Sequence, residues 1–342
     1  MFSTMVRSLL MITAVTALLL AAGCPQGGGT GEGGDGAQAK RPEAKVEKTK
    51  VVCTTGMITD IATRIGGDRI EVTGMMGPGV DPHLYKARES DVSALHEADV
   101  ILFNGLHLEA RLADLLEQMH EHRTVVAVAE QVPEAQRLYL EDGDGMADPH
   151  IWFDVELFKT AVTVITTAIS SVDQNHMQHY HERAAELIEE MTELDAYVRE
   201  QAALVPEEQR VLITAHDAFN YFGAAYGFEV VGLQGISTAA EAGTADVKAL
   251  VDLVVERKIP AVFIESSVPE RNIKAVQEAV AARGHSVEIG GELYSDAMGD
   301  EGTEAGTYLG MVRHNIDTIV AALAPDAVQD AGDGEAGEKS NE

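Results

Sequence analysis

The sequence predicts an α/β protein of two similar lobes, each a parallel β-sheet flanked by helices, which one long rigid helix joins. Short apolar runs alternate with segments of helical period, and strands that alternate with helices usually form parallel sheets. Four elements of the first half recur in the second half at offsets of 155 to 162 residues, which indicates related lobes. The stretch from residue 174 to 204 contains neither glycine nor proline, as is typical of a long helix.

The recurring elements are apolar strands and the periodic segments beside them. The matching pairs are residues 50–62 with 210–222, 91–95 with 246–250, 100–104 with 262–266, and 124–128 with 285–289. We therefore expect an N-terminal lobe at 50–172 and a C-terminal lobe at 206–324.

Between the lobes, apolar residues recur at spacings of three and four. They are Leu187, Ile188, Met191, Leu194 and Val198. A helix of about 30 residues is about 45 Å long, so the predicted linking helix at 173–205 can run the height of a lobe. This stiff connection argues against closure about a flexible hinge.

The sequence predicts that both ends of the chain lie outside the folded lobes. Residues 1–23 form a predicted signal peptide, too short in its apolar part to span a membrane comfortably. It ends at Cys24 in a pattern that resembles the bacterial lipobox, which predicts lipidation of Cys24; the alternative is an ordinary cleavage site with an incidental cysteine. Residues 24–49 are a glycine-rich flexible tether with a reach of roughly 25–30 Å, and residues 325–342 a disordered acidic tail.

Charge and cysteine content exclude several classes of function. The chain has 25 Lys and Arg against 56 Asp and Glu, a net charge of −31, which repels nucleic acid and anionic lipid. The negative field attracts cations, although solubility or adaptation to salt accounts for it as well. If Cys24 is lipidated, Cys53 has no cysteine partner, so no disulfide is expected. We therefore expect Cys53 to be a small buried apolar residue.

Four residues form a candidate metal site. The tripeptide Asp-Pro-His occurs twice and ends at His83 and at His150. His216 follows an apolar strand, and Asp296 follows a strand predicted to end at Ile289. Ligands bind beyond the carboxyl ends of parallel strands. Three imidazoles and one carboxylate suit a borderline divalent cation such as zinc.

The remaining histidines receive structural interpretations. His176, His179 and His181 lie at the polar start of the long helix, where a solvated surface is expected.

Asp81 and Asp148, which open the two tripeptides, either accept a hydrogen bond from the imidazole ring or shape the turn. Because the ligand imidazoles must be neutral, metal binding should weaken as the pH falls through their ordinary pKa of about 6.5.

Four segments resemble the ligand-bearing motifs of the zinc- and manganese-binding solute receptors of ABC importers, the cluster A-I (TroA/ZnuA-like) family. They are residues 81–85 (Asp-Pro-His-Leu-Tyr), 148–154 (Asp-Pro-His-Ile-Trp-Phe-Asp), 214–223 (Thr-Ala-His-Asp-Ala-Phe-Asn-Tyr-Phe-Gly) and 290–296 (Gly-Gly-Glu-Leu-Tyr-Ser-Asp). Residues 262–269 are also similar to a strand of that family. The resemblance covers residues 50–323 in the family's order.

The resemblance implies that His83, His150, His216 and Asp296 hold one metal ion per chain. It also implies two lobes joined by one rigid helix and delivery of the ion to a membrane permease driven by a cytoplasmic ATPase. Both partners must be other chains, since the sequence has no Walker loop and no spanning helices. We expect a monomer, held at the membrane by lipid alone and facing the periplasm or the exterior.

The choice between zinc and manganese stays open. In the family, manganese-type members usually have Glu where this chain has His216, which favours zinc. Zinc-specialised members often carry a His-rich insertion before the second ligand, and residues 131–147 contain no His. Asp296 as the fourth ligand is common to the manganese-type and dual-metal branch. We predict zinc first and manganese second.

Two other classes of protein compete with a metal receptor. A zinc hydrolase would use the same metal site with Glu241 or Glu265 as general base, but the sequence has no His-Glu-x-x-His motif. A surface adhesin or scaffold would carry the metal only incidentally.

Overall fold

The computed structural model describes residues 48–139 and 145–326. The predicted signal peptide, Cys24, the tether as far as residue 47 and the tail from residue 327 lie outside these residues. The lipidation and disorder predictions therefore stay predictions.

The N-terminal lobe is built on a parallel sheet of four strands in the order β2-β1-β3-β4. Its elements are β1 Thr49–Cys53, α1 Gly56–Gly66, β2 Ile70–Gly74, α2 Glu89–Glu97, β3 Val100–Phe103, α3 Ala113–His120, β4 Thr124–Ala127 and α4 Val155–Val172. The strand pairs are all parallel, as the alternation of strands and helices predicts.

The C-terminal lobe repeats this plan with two parallel pairs, β5 with β6 and β7 with β8. Its elements are β5 Val211–His216, α6 Asn220–Tyr226, β6 Glu229–Gln234, α7 Thr244–Arg257, β7 Ala261–Glu265, α8 Arg271–Ala281, β8 Glu288–Leu293 and α9 Tyr308–Leu323. Strand β5 packs beside β7 without a regular hydrogen-bond ladder. The lateral order is therefore β6-β5-β7-β8, the order of the first lobe, and the predicted relation between the lobes is confirmed.

The relation extends to the way two equivalent helices begin. Asp91, the third residue of α2, accepts a hydrogen bond at 2.7 Å from the backbone N–H of Arg88. Asp246, the third residue of α7, accepts one at 2.8 Å from the backbone N–H of Gly243. A carboxylate at this position satisfies a free N–H at the start of a helix, so the repeated aspartate has the same physical role twice.

The last strand of the sheet differs from its prediction. Strand β8 continues past Ile289 to Leu293, and Val262 and Phe263 of β7 pair with Ile289 and Gly291. Gly290 is the extra residue of a β-bulge, where a side chain would collide with Phe263 and Ala322. The glycines allow the strand to bulge rather than end, so Asp296 lies three residues beyond the true end of the strand.

The long helix between the lobes is α5, Met177–Leu204, preceded by a single 3-10 turn at Gln174–His176. Its buried positions recur at spacings of three and four: Tyr180, Ala184, Leu187, Met191, Leu194, Val198 and Ala202. The largest apolar cluster unites residues of α1, α4, α5, α6 and α9 with strand residues of both lobes. Because this core continues across the lobes, the connection between them is a packed helical layer.

Helix α4 is long and apolar enough to cross a membrane by length and composition alone. Half of its residues are buried inside the protein, and it packs against α1 and α5. The helix is therefore explained as a central element of the folded core.

Candidate metal centre

The four predicted site residues meet between the lobes at the carboxyl ends of the strands. His83 lies in the β2–α2 connection and His150 in the β4–α4 connection, whereas His216 ends β5 and Asp296 follows β8. Their exposed fractions are 5%, 0%, 0% and 2%. Each offers a nitrogen or oxygen within 4.8 Å of those of the others, and no second group of this kind occurs within residues 48–139 and 145–326.

The distances between these atoms fit a compact coordination shell. Nε2 of His83 lies 3.4 Å from Nε2 of His150 and 3.5 Å from Oδ2 of Asp296. Asp296 Oδ1 is 3.4 Å from His150 Nε2, and Oδ2 is 3.3 Å from His216 Nε2. With zinc bonds of about 2.0–2.1 Å, neighbouring donors of a tetrahedron lie about 3.3–3.4 Å apart. Both oxygens of Asp296 face imidazoles, so a bidentate carboxylate is also available.

Three atoms at the centre are buried without a hydrogen-bond partner: Nε2 of His216 and both carboxylate oxygens of Asp296. Burial of an unpaired carboxylate is costly. A cation at this point would satisfy all three atoms, so the observation favours a metal site over a purely structural polar cluster.

The second Asp-Pro-His tripeptide holds its imidazole directly. Asp148 Oδ1 lies 2.7 Å from His150 Nδ1 and accepts a hydrogen bond at 2.9 Å from the His150 backbone N–H. The carboxylate therefore both shapes the turn and fixes the ring with Nε2 toward the centre. In the first tripeptide, Asp81 accepts the backbone N–H of His83 at 2.8 Å and does not contact the His83 ring. The sequence left two roles open for this aspartate, which are holding the imidazole ring and shaping the turn. Toward His83, Asp81 only shapes the turn.

Glu265 is the carboxylate that orients His216, a role that the sequence did not reveal. It ends β7 beside the end of β5, lies 2.5 Å from His216 Nδ1, and accepts the His216 backbone N–H at 2.8 Å. Glu265 is therefore a poor candidate for the general base of the competing hydrolase class, because both of its oxygens are engaged with His216. Glu241, the other candidate base, has a side chain that is 85% exposed and pairs with Arg271 at the surface.

Burial and the neighbouring carboxylates set the protonation of the site. Burial lowers the pKa of His83 to about 4. Burial also disfavours the charged form of His150, but Asp148 and Asp296 outweigh it and raise its pKa to about 9. For His216, burial is likewise outweighed by Glu265 and Asp296, and the pKa lies well above its ordinary value. Burial disfavours the Asp296 carboxylate, yet His216 and His150 hold its pKa well below the usual range. The neighbouring carboxylates therefore favour the protonated imidazole at His150 and His216, and the imidazoles favour the ionised carboxylate at Asp296.

The cysteine and the histidines that the sequence assigns to structural roles lie where they are expected, except that two of the histidines are less exposed than predicted. Cys53 is fully buried in β1, and burial raises the pKa of its thiol. His181 is exposed, but His176 and His179 are half-buried. His176 Nδ1 lies 2.7 Å from Asp173, so the start of the long helix is less solvated than predicted.

Comparisons with known proteins agree with this architecture. A family described as "Zinc-uptake complex component A periplasmic" matches residues 51–322. The zinc-binding protein TroA of Treponema pallidum (strain Nichols) is 51% identical over 277 residues, which are 81% of this chain and 89% of TroA. The manganese-binding lipoprotein MntA of Bacillus subtilis (strain 168) is 48% identical over 277 residues, 81% of this chain and 90% of MntA.

Solved structures and more distant relatives give the same result. The structure of the periplasmic zinc-binding protein TroA from Treponema pallidum matches with a TM-score of 0.80 and 51% identity, covering 81% of this chain and all of that chain. The manganese ABC transporter substrate-binding lipoprotein PsaA of Streptococcus pneumoniae serotype 4 is 30% identical over 296 residues, 84% of this chain and 93% of PsaA. Fold and site define a two-lobed α/β protein with a buried site that could hold one metal ion. The chain belongs to the zinc-uptake complex component A family.

Proposed function

We propose that the protein is an extracytoplasmic receptor that captures one divalent transition-metal ion between its lobes and delivers it to an ABC importer. The observation that carries this proposal is the convergence of four buried side chains from distant segments, three of whose atoms lack any partner. His83 and His150 bind from the N-terminal lobe, and His216 and Asp296 bind from the C-terminal lobe. The ion therefore crosslinks the lobes.

Zinc is the first choice of ion and manganese the second. Three imidazole nitrogens favour zinc over manganese, and the donor spacing of 3.3–3.5 Å suits a tetrahedron. A bidentate Asp296 would add a fifth donor and accommodate manganese. TroA is named for zinc and MntA for manganese, and the two proteins are similar to this chain to nearly the same degree. This similarity supports both ions as candidates.

Delivery requires partners that are other chains. The ion passes to a membrane permease that a cytoplasmic ATPase drives, when the lobes dock on the permease. The receptor acts as a monomer with lobes at 50–172 and 206–324 and the linking helix at 173–205. Lipid on Cys24 and the tether at 24–49 hold it near the membrane surface. The relatives named as lipoproteins support this location.

Elemental analysis of protein purified without added metal tests the proposal. We expect about one equivalent of zinc for the wild-type protein. In the His216→Glu variant, a carboxylate replaces a nitrogen donor, so the preference should shift toward manganese. Competition between equal concentrations of the two ions measures the shift, with His181→Glu as the control because His181 is exposed on α5. Wild-type protein that retains no transition metal would refute the receptor assignment.

Replacing the carboxylate that orients His216 should weaken metal binding without removing a ligand. In Glu265→Gln, the charge that favours an Nδ1–H on His216 is lost, and we expect metal affinity to fall about 10- to 100-fold. Titration with a competing chelator measures the effect. Glu292→Gln, an exposed carboxylate on β8, is the matched control. Equal affinity of the Glu265→Gln variant and the wild type would show that Glu265 does not act through His216.

A further inference from the structure

Each aspartate of the two Asp-Pro-His tripeptides contacts both lobes. Oδ1 of Asp81 accepts the backbone N–H of His83, and its Oδ2 accepts a hydrogen bond at 2.6 Å from the hydroxyl of Thr238. Thr238 belongs to the C-terminal lobe, in the connection between β6 and α7. The carboxylate that shapes the His83 turn is thus held from the opposite lobe.

In the second tripeptide, too, one carboxylate oxygen of the aspartate holds the histidine and the other contacts the opposite lobe. Oδ1 of Asp148 faces the ring and the backbone N–H of His150, and Oδ2 accepts a hydrogen bond at 3.1 Å from the side-chain amide of Asn220. Asn220 is the first residue of α6 in the C-terminal lobe, and its side chain also hydrogen-bonds Asp217, next to His216. Asn220 therefore connects segments that carry a ligand in each lobe.

We propose that Thr238 and Asn220 are positioning residues whose hydrogen bonds to Asp81 and Asp148 form a clasp between the lobes. Closure of the lobes, by a limited movement on the packed helical layer rather than about a flexible hinge, then aligns His83 and His150 and slows metal release. This inference rests on the proposed function. Hydrogen bonds to a carboxylate are stronger than those between neutral groups. When the lobes separate, both bonds break, and each tripeptide loses the contact that holds its aspartate from across the cleft.

The two halves of the clasp have different surroundings. Beside Asn220, the hydroxyl of Tyr221 accepts the backbone N–H of Leu138 at 3.0 Å and contacts the Asp148 carbonyl at 3.3 Å. Packing of α6 therefore supports the Asn220 contact. The Asp81–Thr238 bond joins two loops, and Thr238 is 7% exposed. Loss of the Thr238 hydroxyl should consequently have the larger effect on release.

Release kinetics test the clasp. Zinc-loaded protein is mixed with an excess of a chromophoric zinc chelator, and the absorbance reports the rate at which metal leaves. We expect Thr238→Val, which keeps the side-chain shape, to accelerate release about tenfold, and Asn220→Ala to accelerate it about threefold. Association rates should stay at the wild-type value, because the bonds form only after closure. The melting temperature of the metal-free variants should also be unchanged.

Three further variants separate positioning from general disturbance. Thr238→Ser should restore slow release. Ser237→Ala is the matched control, since the Ser237 hydroxyl accepts only the backbone N–H of Ala239 within the same connection. In an Asp81→Asn background, Thr238→Val should have little additional effect, because the two residues act through one bond.

The outcomes distinguish the clasp from the receptor function. Wild-type protein that retains zinc, together with a wild-type release rate in either single variant, would overturn the paired clasp and leave the receptor assignment intact. Wild-type protein that retains no metal would overturn both. Faster release with an unchanged association rate and rescue by serine supports the clasp.

Discussion

Asp296→Asn should lose at least about 100-fold in metal affinity, the largest effect of a single substitution in this chain. Asp296 supplies the negative charge among the four side chains, and both of its oxygens face the centre. An amide of the same shape keeps one oxygen donor but removes the charge that offsets a divalent cation. Competition with a chelator of known affinity measures the change.

The matched control for this substitution is Asp300→Asn, an exposed aspartate in the same connection after β8. It should bind metal as the wild type does. Circular dichroism of both metal-free variants checks that the fold is retained. An Asp296→Asn variant that holds zinc as tightly as the wild type would remove Asp296 from the coordination shell.

The pH dependence of binding is the second large effect. Without metal, His150 has a pKa of about 9 and so carries a proton at pH 7. The pKa of His216 is raised in the same direction by Glu265 and Asp296. His83, with a pKa of about 4, is neutral there. Metal must displace the proton of His150 and any proton on His216, so affinity should rise at least about 10-fold per pH unit between pH 6 and 8, and up to about 100-fold where both rings are protonated.

The sequence alone places this titration near pH 6.5, where affinity would level off above about pH 7.5. Affinity rises with pH in both cases, but the carboxylates of Asp148, Glu265 and Asp296 raise the pKa values of His150 and His216 and so move the pH range of the titration upward. Calorimetry in buffers of different ionisation enthalpy counts the protons released on binding. Release of no proton at pH 7, with affinity constant from pH 7 to 8, would contradict the raised pKa values.

The four candidate ligands could be identified from the sequence because local patterns mark them. The repeated Asp-Pro-His tripeptides ending at His83 and His150 are visible without any knowledge of tertiary structure. His216 ends an apolar strand and Asp296 follows one, and the carboxyl ends of parallel strands form one edge where ligands bind. The structure brings all four together.

The residues that hold these ligands could not be identified in the same way. Glu265 reaches His216 because β7 lies beside β5, and lateral strand order is a property of the fold rather than of any local segment. Thr238 meets Asp81 only across the cleft, 157 positions along the chain. Such contacts depend on how the lobes pack, which periodicity does not report.

The error at β8 has a different cause. Two glycines after Ile289 usually weaken a strand, and this pattern predicts that the strand ends at Ile289. Here the close approach of α9 and Phe263 leaves no room for a side chain at Gly290. Glycine is thus required by packing against the strand, and the strand continues through a bulge.

Anomalous diffraction from crystals of the zinc-loaded protein, recorded on both sides of the zinc absorption edge, tests whether the four side chains bind one metal ion together. We predict one anomalous peak per chain, about 2.0–2.2 Å from the Nε2 atoms of His83, His150 and His216 and from the Asp296 carboxylate. A peak elsewhere, or a metal ion that one of the four side chains does not reach, would contradict the proposed metal site.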